Sequence, residues 1–240
     1  MNINRNDYEE VRPYLICRLM QEDEAALSQM PQCRAFEDLM LVPFLLRTKE
    51  GNVASAVPVR WPLMKSWNVS EAVLMQDAFA NMQRVMKVRL ERMGELMQSD
   101  RKGSVRDVLK CLLRSRFPET SSGRLDQVAG ALAQKVDEQI RAQSRLKPMW
   151  VLGNQYRLFG AVSVLYEGEL ERFAGMVDSS FFILPASIHE MILLPEGGNE
   201  TREMLYDMVA SANSRMQDGA RRLSNSVYYY DREKKVIQTL

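Results

Sequence analysis

The sequence predicts an α+β fold, with mostly antiparallel sheet packed by helices, and three observations lead to that prediction. Residues 149–195 contain two pairs of apolar, β-like runs with a helical pattern between the pairs. A further pair of apolar runs, within 39–59, flanks a turn cluster. Two longer stretches, at 70–99 and 125–140, carry apolar residues at helical spacing. Adjacent antiparallel strands with helices gathered to one side are typical of the α+β class.

The N-terminal part of the chain is predicted to supply a strand, a short helix and a hairpin. The strand covers residues 14–19, the helix 21–30 and the hairpin 39–59. Pro43 and Pro58 have no amide hydrogen to give to a ladder, which favours edge strands or bulges at both positions.

Residues 70–99 are predicted to form one amphipathic helix, capped by Asn68 with Glu71 three residues later. Its apolar stripe suits a coiled-coil seam or, more commonly, a helix that lies on a sheet. Methionine also lines adaptable binding surfaces, so this Met-rich helix is the predicted surface for another protein or for self-association. The stripe consists of Met75, Phe79, Met82, Met86, Leu90, Met93 and Met97.

The second half of the chain is predicted to complete the sheet around a helical insertion. The insertion covers residues 100–147, is basic, and lies within a single domain that spans 1–240. Its last helix ends at Lys147, because the residue before a proline disfavours helix. The elements that follow are strands at 149–152 and 158–166, a helix at 167–177, strands at 181–184 and 190–194, a helix at 200–216, a strand at 227–230 and a loose tail.

The bulk composition excludes several classes of protein. The net charge of +1 gives no global attraction to nucleic acid or to a membrane surface. One histidine and three scattered cysteines, Cys17, Cys33 and Cys111, match no metal-binding spacing, so neither a metal nor a cofactor is predicted. The N-terminus lacks the features of a signal peptide, and no apolar run approaches the roughly 18 residues of a membrane span. A cytoplasmic protein with reduced thiols is therefore expected.

The only histidine in the chain offers the first candidate for chemistry. His189 stands with Ser187 and Glu190 in the sequence SIHE. Residues two apart in a strand share a face, so Ser187 and His189 would point together. A hydrolase needs its base within about 3 Å of the nucleophile, with an acid behind the base. Three neighbours in one segment seldom give that geometry, and the alternative is a hydrogen-bonded turn with a half-buried histidine.

Asn154 is the second candidate, as a ligand-binding residue in the turn at 153–155. Gly160, a few residues later, permits a close backbone approach or a bulge. The alternative to a ligand clamp is a turn that requires a positive φ, which asparagine adopts readily.

The third candidate is a basic stretch at 84–116, with ten Lys and Arg residues against four acidic ones. Such a patch can bind phosphates with an affinity that falls as salt rises. No aromatic residue is interspersed for base stacking, and a solvated helix face is the alternative interpretation. The candidate nucleic-acid contacts are Arg101, Lys102, Arg106, Lys110 and Arg114.

Five segments have the pattern of core strands and turns in a fixed order. They are YLICRLM at 14–20, LMKSWNVSE at 63–71, PMWVLGNQYRLFGAVSVLY at 148–166, FFILPASIHEMILLP at 181–195 and VYYYDRE at 227–233. In these segments the chain resembles an uncharacterised bacterial family, a domain of unknown function. The resemblance implies a cytoplasmic α+β protein with no established activity. Relative to the family pattern, the region 99–147 is longer and more basic, and an N-terminal segment that relatives carry is expected to be missing.

The sequence therefore favours a non-enzymatic protein-interaction or regulatory module, because catalytic sites need converging polar groups and few are visible here. Two alternatives stay open. One is a small hydrolase or transferase that uses His189 with Ser187 or Glu190. The other is a nucleic-acid-binding protein that uses the basic stretch at 84–116.

Overall fold

A computed structural model describes residues 6–22, 24–49, 52–93, 121, 123–131, 148–197, 199–214 and 222–240. The described strands form two antiparallel sheets, of four and of six strands, with helices packed on them. This confirms the predicted α+β class. The predicted insertion at 100–147 lies outside the described residues except for 121 and 123–131, of which 123–131 are helical. Its place within a single domain stays a prediction.

The first sheet is organised around one long central strand. This strand, β3 (Leu39–Lys49), pairs along one edge with β1 (Leu15–Gln21). Along its other edge it pairs first with β2 (Cys33–Phe36) and then with β4 (Asn52–Pro58). The predicted strand at 14–19 and the predicted hairpin at 39–59 are therefore present, and the predicted helix at 21–30 is a short 3-10 turn, Ala25–Gln29.

Pro43 lies in the central strand and its pairing with Cys17 has no bulge, so the prediction of an edge strand or a bulge at this position is wrong. Strand β2 pairs with residues 39–41 and strand β4 pairs from Phe44 onward, which leaves Pro43 in the interval between them. The Pro43 carbonyl accepts a hydrogen bond from the amide of Val59 at 3.0 Å on that edge. Because the nitrogen and carbonyl of one residue point to the same side of a strand, the proline nitrogen also faces this interval, and no ladder bond is lost.

The Met-rich helix is shorter than the sequence predicted. After two short helices, α1 (Tyr8–Val11) and α2 (Trp61–Ser66), helix α3 runs over Glu71–Val85 and packs on strand β1. Ser70 caps it by accepting from the amide of Val73 at 3.3 Å, whereas Asn68 precedes the cap with a left-handed φ of 53°. The stripe methionines of this helix are buried in the main core, so they do not form the predicted partner surface. They are Met75, Met82 and, at the C-cap, Met86.

Residues 88–92 form a strand, β5 (Val88–Arg92), where the sequence predicted the continuation of the helix. Val88 and Leu90 pack against the main core. Arg89 and Glu91, which alternate with them along the strand, face the other side of the sheet. This period of two was concealed because Leu90 also fits the helical spacing of the methionine stripe.

The second sheet continues from β5 through five further strands. In chain order these are β6 (Trp150–Asn154), β7 (Phe181–Ser187), β8 (Glu190–Pro195), β9 (Tyr228–Asp231) and β10 (Val236–Thr239). Their order across the sheet is β10-β9-β7-β8-β6-β5. The predicted loose tail is wrong, because the tail folds back as β10 and closes a hairpin with β9.

Strand β7 separates two apolar cores. Phe181 and Ile183 face the main core, which the two sheets share with helices α3 and α4 (Glu169–Val177). The alternate residues face a smaller outer core under helix α5 (Arg202–Ser214). Burial on both faces explains the continuous apolar run of this strand. The outer core comprises Phe182, Leu184, Leu194, Leu205, Val209 and Val227.

Asp38 connects the first sheet to the loop that enters β9. Its carboxylate accepts hydrogen bonds from Ser224 Oγ at 2.7 Å, from Ser226 Oγ at 3.1 Å and from the Tyr228 hydroxyl. Burial, followed by the hydrogen bond to Asp38, raises the pKa of the Tyr228 phenol, which therefore stays protonated as a donor. The Phe36 and Tyr228 rings meet edge to face beside this network, 4.9 Å apart.

Replacing Asp38 by alanine is expected to lower the free energy of unfolding by about 1–2 kcal/mol, because three hydroxyl donors lose their shared acceptor in a partly buried setting. Urea unfolding followed by circular dichroism measures the change. Asp178→Asn is the control, since that carboxylate is 85% exposed, pairs only with Arg232 among the described residues, and asparagine tolerates the left-handed φ of 53° at this position. It is expected to change stability by less than about 0.5 kcal/mol. Equal effects of the two substitutions would contradict a connecting role for Asp38.

Candidate functional site

A junction at residues 153–166, buried apart from the exposed loop residues 155–157, lies between the two sheets. Its centre is a 3-10 segment, Gly160–Leu165, which contacts strands β1, β6 and β8. The first five residues of this segment, from Gly160 to Val164, are buried. The sequence predicted a strand at 158–166, and that prediction is wrong. Phe159 has a left-handed φ of 52°, which interrupts extended backbone immediately before the 3-10 segment begins.

Asn154 is held inside the junction by backbone groups of its own loop. Its side-chain Oδ1 accepts from the amides of Tyr156 at 3.1 Å and Leu158 at 3.3 Å. Its Nδ2 donates to the carbonyl of Leu158 at 2.7 Å and contacts Met86 Sδ at 3.5 Å. Asn154 is 1% exposed. This geometry is that of a buried turn side chain, and the positive φ expected at Asn154 occurs instead at Arg157 and Phe159.

His189 lies in the two-residue turn between β7 and β8. Its Nδ1 accepts a hydrogen bond from the amide of Phe159 at 3.1 Å, and its own amide donates to Ser187 Oγ at 3.0 Å. A neutral imidazole with its proton on Nε2 satisfies the bond at Nδ1. Because His189 is a turn residue, the strand alternation used to align it with Ser187 does not apply. Ser187 is paired instead with Glu190 across the hairpin.

The hairpin turn and the junction are in close backbone contact at Gly160. A β-carbon at this position would lie 2.4 Å from the His189 carbonyl oxygen, 2.7 Å from the Asn154 nitrogen and 2.9 Å from the Gly153 α-carbon. The adjacent amide of Ala161 donates to the carbonyl of Ile188 at 3.4 Å. Gly160 therefore provides the close approach that the sequence allowed, and it brings His189 and Asn154 to one place.

A series of contacts between aromatic rings connects His189 to the first sheet. The His189 and Phe159 rings are parallel, with centroids 6.0 Å apart. Phe159 also meets Phe44 of β3 edge to face at 5.0 Å. The Arg18 guanidinium lies 5.7 Å from the centroids of both phenylalanine rings. The junction is thus joined to both sheets by side-chain contacts as well as by backbone hydrogen bonds.

The chemistry available at this cluster is mainly that of hydrogen bonding to the backbone. Asn154, Ser187 and His189 each bond to main-chain amides or carbonyls through side-chain atoms that a catalytic role would use. A serine hydrolase requires a ring nitrogen of the base to receive the serine proton. Here His189 Nδ1 is occupied by Phe159, and Ser187 Oγ meets the His189 backbone amide. The cluster suits an architectural role.

The remaining sequence candidates lie elsewhere or outside the described residues. The nucleic-acid candidates, between residues 101 and 114, fall outside the described part of the chain. In the described part of the basic stretch, Arg89 forms an ion pair with Glu91 at 2.7 Å, and the Arg92 guanidinium lies 5.0 Å from the centroid of the Trp150 ring. In the described ranges no cluster of three or more His, Cys, Asp or Glu side chains is suited to a metal ion. No helix among those ranges has both the length and the apolar character to cross a membrane.

Sequence reasoning missed an apolar groove on the outer side of the second sheet. The groove has a volume of about 590 Å³ and lies between helix α5 and the outer face of β7 and β8. Only the helical spacing of Met204, Met208 and Ala212 hinted at it in the sequence. The residues that line it are Met93, Met149, Leu184, Pro185, Ile192, Met204, Asp207, Met208, Val209, Ser211 and Ala212.

Comparison with known proteins places the chain in a family context. The model of a family described as "Family of unknown function (DUF5688)" matches residues 2–232. No curated protein and no solved structure matches the chain. The match covers nearly the whole sequence, and it confirms the resemblance to an uncharacterised domain family.

Proposed function

The chain belongs to DUF5688, a family of unknown function, and we propose that it acts as a non-enzymatic, cytoplasmic protein-interaction module. The observation that carries the proposal is the contrast between its two candidate sites. The polar groups around His189 bond to the backbone of a buried junction, whereas the groove beside α5 is apolar and is left open by the residues that the structure describes. Apolar surface rimmed by polar residues is the usual mark of a protein contact.

The groove supports this proposal through its composition. Four methionines from three parts of the chain, Met93, Met149, Met204 and Met208, contribute to its lining. Methionine side chains are flexible and polarisable, so they adapt to apolar groups of different shape. Catalysis needs converging polar groups, and among the described lining residues only Asp207 and Ser211 have polar side chains.

Affinity capture with quantitative mass spectrometry tests the proposed function. The wild-type chain and three variants are compared: Met208→Glu in the groove, Met176→Glu on the exposed side of α4, and His189→Gln. Met176 is 47% exposed, so its replacement controls for an added surface charge. We expect a partner that the wild type, Met176→Glu and His189→Gln retain and that Met208→Glu loses.

The His189→Gln variant separates the proposal from the enzymatic alternative. We expect a lower unfolding midpoint, because the Phe159 amide loses its well-placed acceptor, together with unchanged partner capture. The proposed function would be contradicted if His189→Gln lost the partner while its unfolding midpoint stayed at the wild-type value. It would also be contradicted if Met208→Glu kept the partner.

A further inference from the structure

We propose that the groove beside α5 binds an amphipathic α-helix of a partner protein, lying alongside α5 on the outer face of the second sheet, with a lysine or arginine facing Asp207. This inference rests on the proposed function and specifies the partner. It follows from the part of the sheet that α5 leaves uncovered, from the shape of the groove, and from the charge on its wall.

Within the described ranges, helix α5 covers only one side of the outer face of the second sheet. A row of outward residues crosses the strands from β7 to β5, since Leu184 is paired with Ile192, Ile192 with Val151 and Val151 with Glu91. Leu184 is buried in the outer core, while Ile192 and Val151 are half-buried. The row ends at Glu91, which forms an ion pair with Arg89. The side chains of both residues are about one third exposed. The apolar strip that the described residues leave uncovered is therefore bounded by α5 and by a charged rim.

The width of this strip fits one helix. Strands in a sheet are about 4.8 Å apart, so β6 lies roughly 10 Å from β7 across β8. Packed helices have interaxial distances of about 8–10 Å. A helix parallel to α5 would consequently lie over Ile192 and Val151, with Met93 and Met149 at its side.

The length and lining of the groove define the face that this helix must present. From Met204 to Ala212 the groove wall extends about 12 Å along α5, at roughly 1.5 Å per residue. That length accommodates two turns, and so three apolar side chains at positions i, i+4 and i+7. Ser211 and Ala212 are small, which allows a close approach of the two helices at that end.

Asp207 places a negative charge on the wall of the groove. It carries the only charge among the described lining residues, it is exposed, and within the described ranges it has no ion-pair partner. A basic residue next to the apolar face of the partner helix would complement this carboxylate at the edge of the contact. An acidic residue at the same place would be repelled.

Methyl NMR of the whole chain tests the proposal. The methionine methyl groups are labelled with ¹³C, and three helical peptides of about 16 residues are titrated in. The first has leucine at i, i+4 and i+7 with a lysine beside them, the second replaces that lysine by glutamate, and the third has the composition of the first in scrambled order. The methyl signals of the four groove methionines report on the groove, and those of Met82 and Met86, which have no exposed surface, are internal controls.

We expect the lysine peptide to shift the signals of Met93, Met149, Met204 and Met208 and to leave those of Met82 and Met86 unchanged. Asp207→Asn should weaken its binding by about three- to fivefold, as for a partly exposed ion pair. Met208→Glu should abolish binding and Met176→Glu should not affect it. The glutamate peptide should bind more weakly than the lysine peptide, and the scrambled peptide should not bind.

Several results would overturn the helix proposal and leave the proposed function in place. These are the absence of groove shifts with the helical peptides, equal shifts with the scrambled peptide, and groove signals that change with protein concentration, as a second copy would cause. Groove methyl groups already shielded from a soluble paramagnetic agent in the free chain would show that the chain itself occupies the groove, and that result would contradict both the helix proposal and the open groove on which the proposed function rests. The proposed function fails separately, if affinity capture finds no partner that depends on Met208.

Discussion

Gly160→Ala is expected to destabilise the protein by about 3 kcal/mol or more, the largest effect that the structure predicts for so small a change. The added methyl group would meet the His189 carbonyl oxygen at 2.4 Å and the Asn154 nitrogen at 2.7 Å. Both are backbone atoms on opposite sides of the contact between hairpin and junction. Neither is able to turn away as a side chain would, so the two segments must separate and lose packing around them.

Chemical unfolding of Gly160→Ala beside Gly175→Ala measures this effect. Gly175 lies within helix α4, and a β-carbon there would meet nothing within 4 Å. Its replacement is expected to stabilise the protein by about 0.5–1 kcal/mol, since alanine has the higher helix propensity. If Gly160→Ala unfolds within about 0.5 kcal/mol of the wild type, the close contact at His189 does not constrain the fold.

Asn154→Ala is expected to lower the free energy of unfolding by about 2–4 kcal/mol. The substitution leaves the amides of Tyr156 and Leu158 without their acceptor and the carbonyl of Leu158 without its donor. Because Asn154 is almost fully buried, water does not replace these partners without opening the junction. The loss therefore exceeds that of an ordinary surface hydrogen bond.

Asn199→Ala is the control for Asn154→Ala, because Asn199 is exposed in the loop that precedes helix α5. It is expected to change stability by less than about 0.5 kcal/mol. Thermal and urea unfolding of both variants provide the comparison. A loss at Asn154 no larger than the loss at Asn199 would show that the side chain is not needed for the turn, and it would favour a ligand-binding role.

The strands that the sequence identified correctly are those whose pattern is local. The runs in β7 and β8 are short, apolar and bounded by turns, which suffices to predict buried strands. The segment at 158–166 has a similar apolar composition but folds as a 3-10 segment. It is buried because it lies between two sheets, and the positions of those sheets are not encoded in its own periodicity.

The errors at the methionine stripe have the same origin. Leu90 and Met93 continue the helical spacing of α3, yet Val88 and Leu90 alternate with charged residues as in a strand. The choice between the two patterns depends on pairing with β6, which comes almost 60 residues later. The contact of His189 with Phe159 also joins positions 30 residues apart, so the sequence suggested a turn histidine but not its partner.

The groove was not predictable for a related reason. Met204 and Met208 look like core residues of an amphipathic helix, and Leu205 and Val209 are indeed buried under it. Only the position of α5 on one side of the sheet leaves the methionines beside a strip that no described residue covers.

Amide hydrogen exchange at Phe159 tests most directly the central claim that the polar groups near His189 serve the fold. The Phe159 amide donates to His189 Nδ1 at 3.1 Å. We predict that it exchanges only when the domain unfolds, with a free energy of opening within about 1 kcal/mol of that of Ile183 in strand β7. Exchange of Phe159 at the rate of a solvent-exposed amide, while Ile183 stays protected, would contradict the claim and place His189 at an open site.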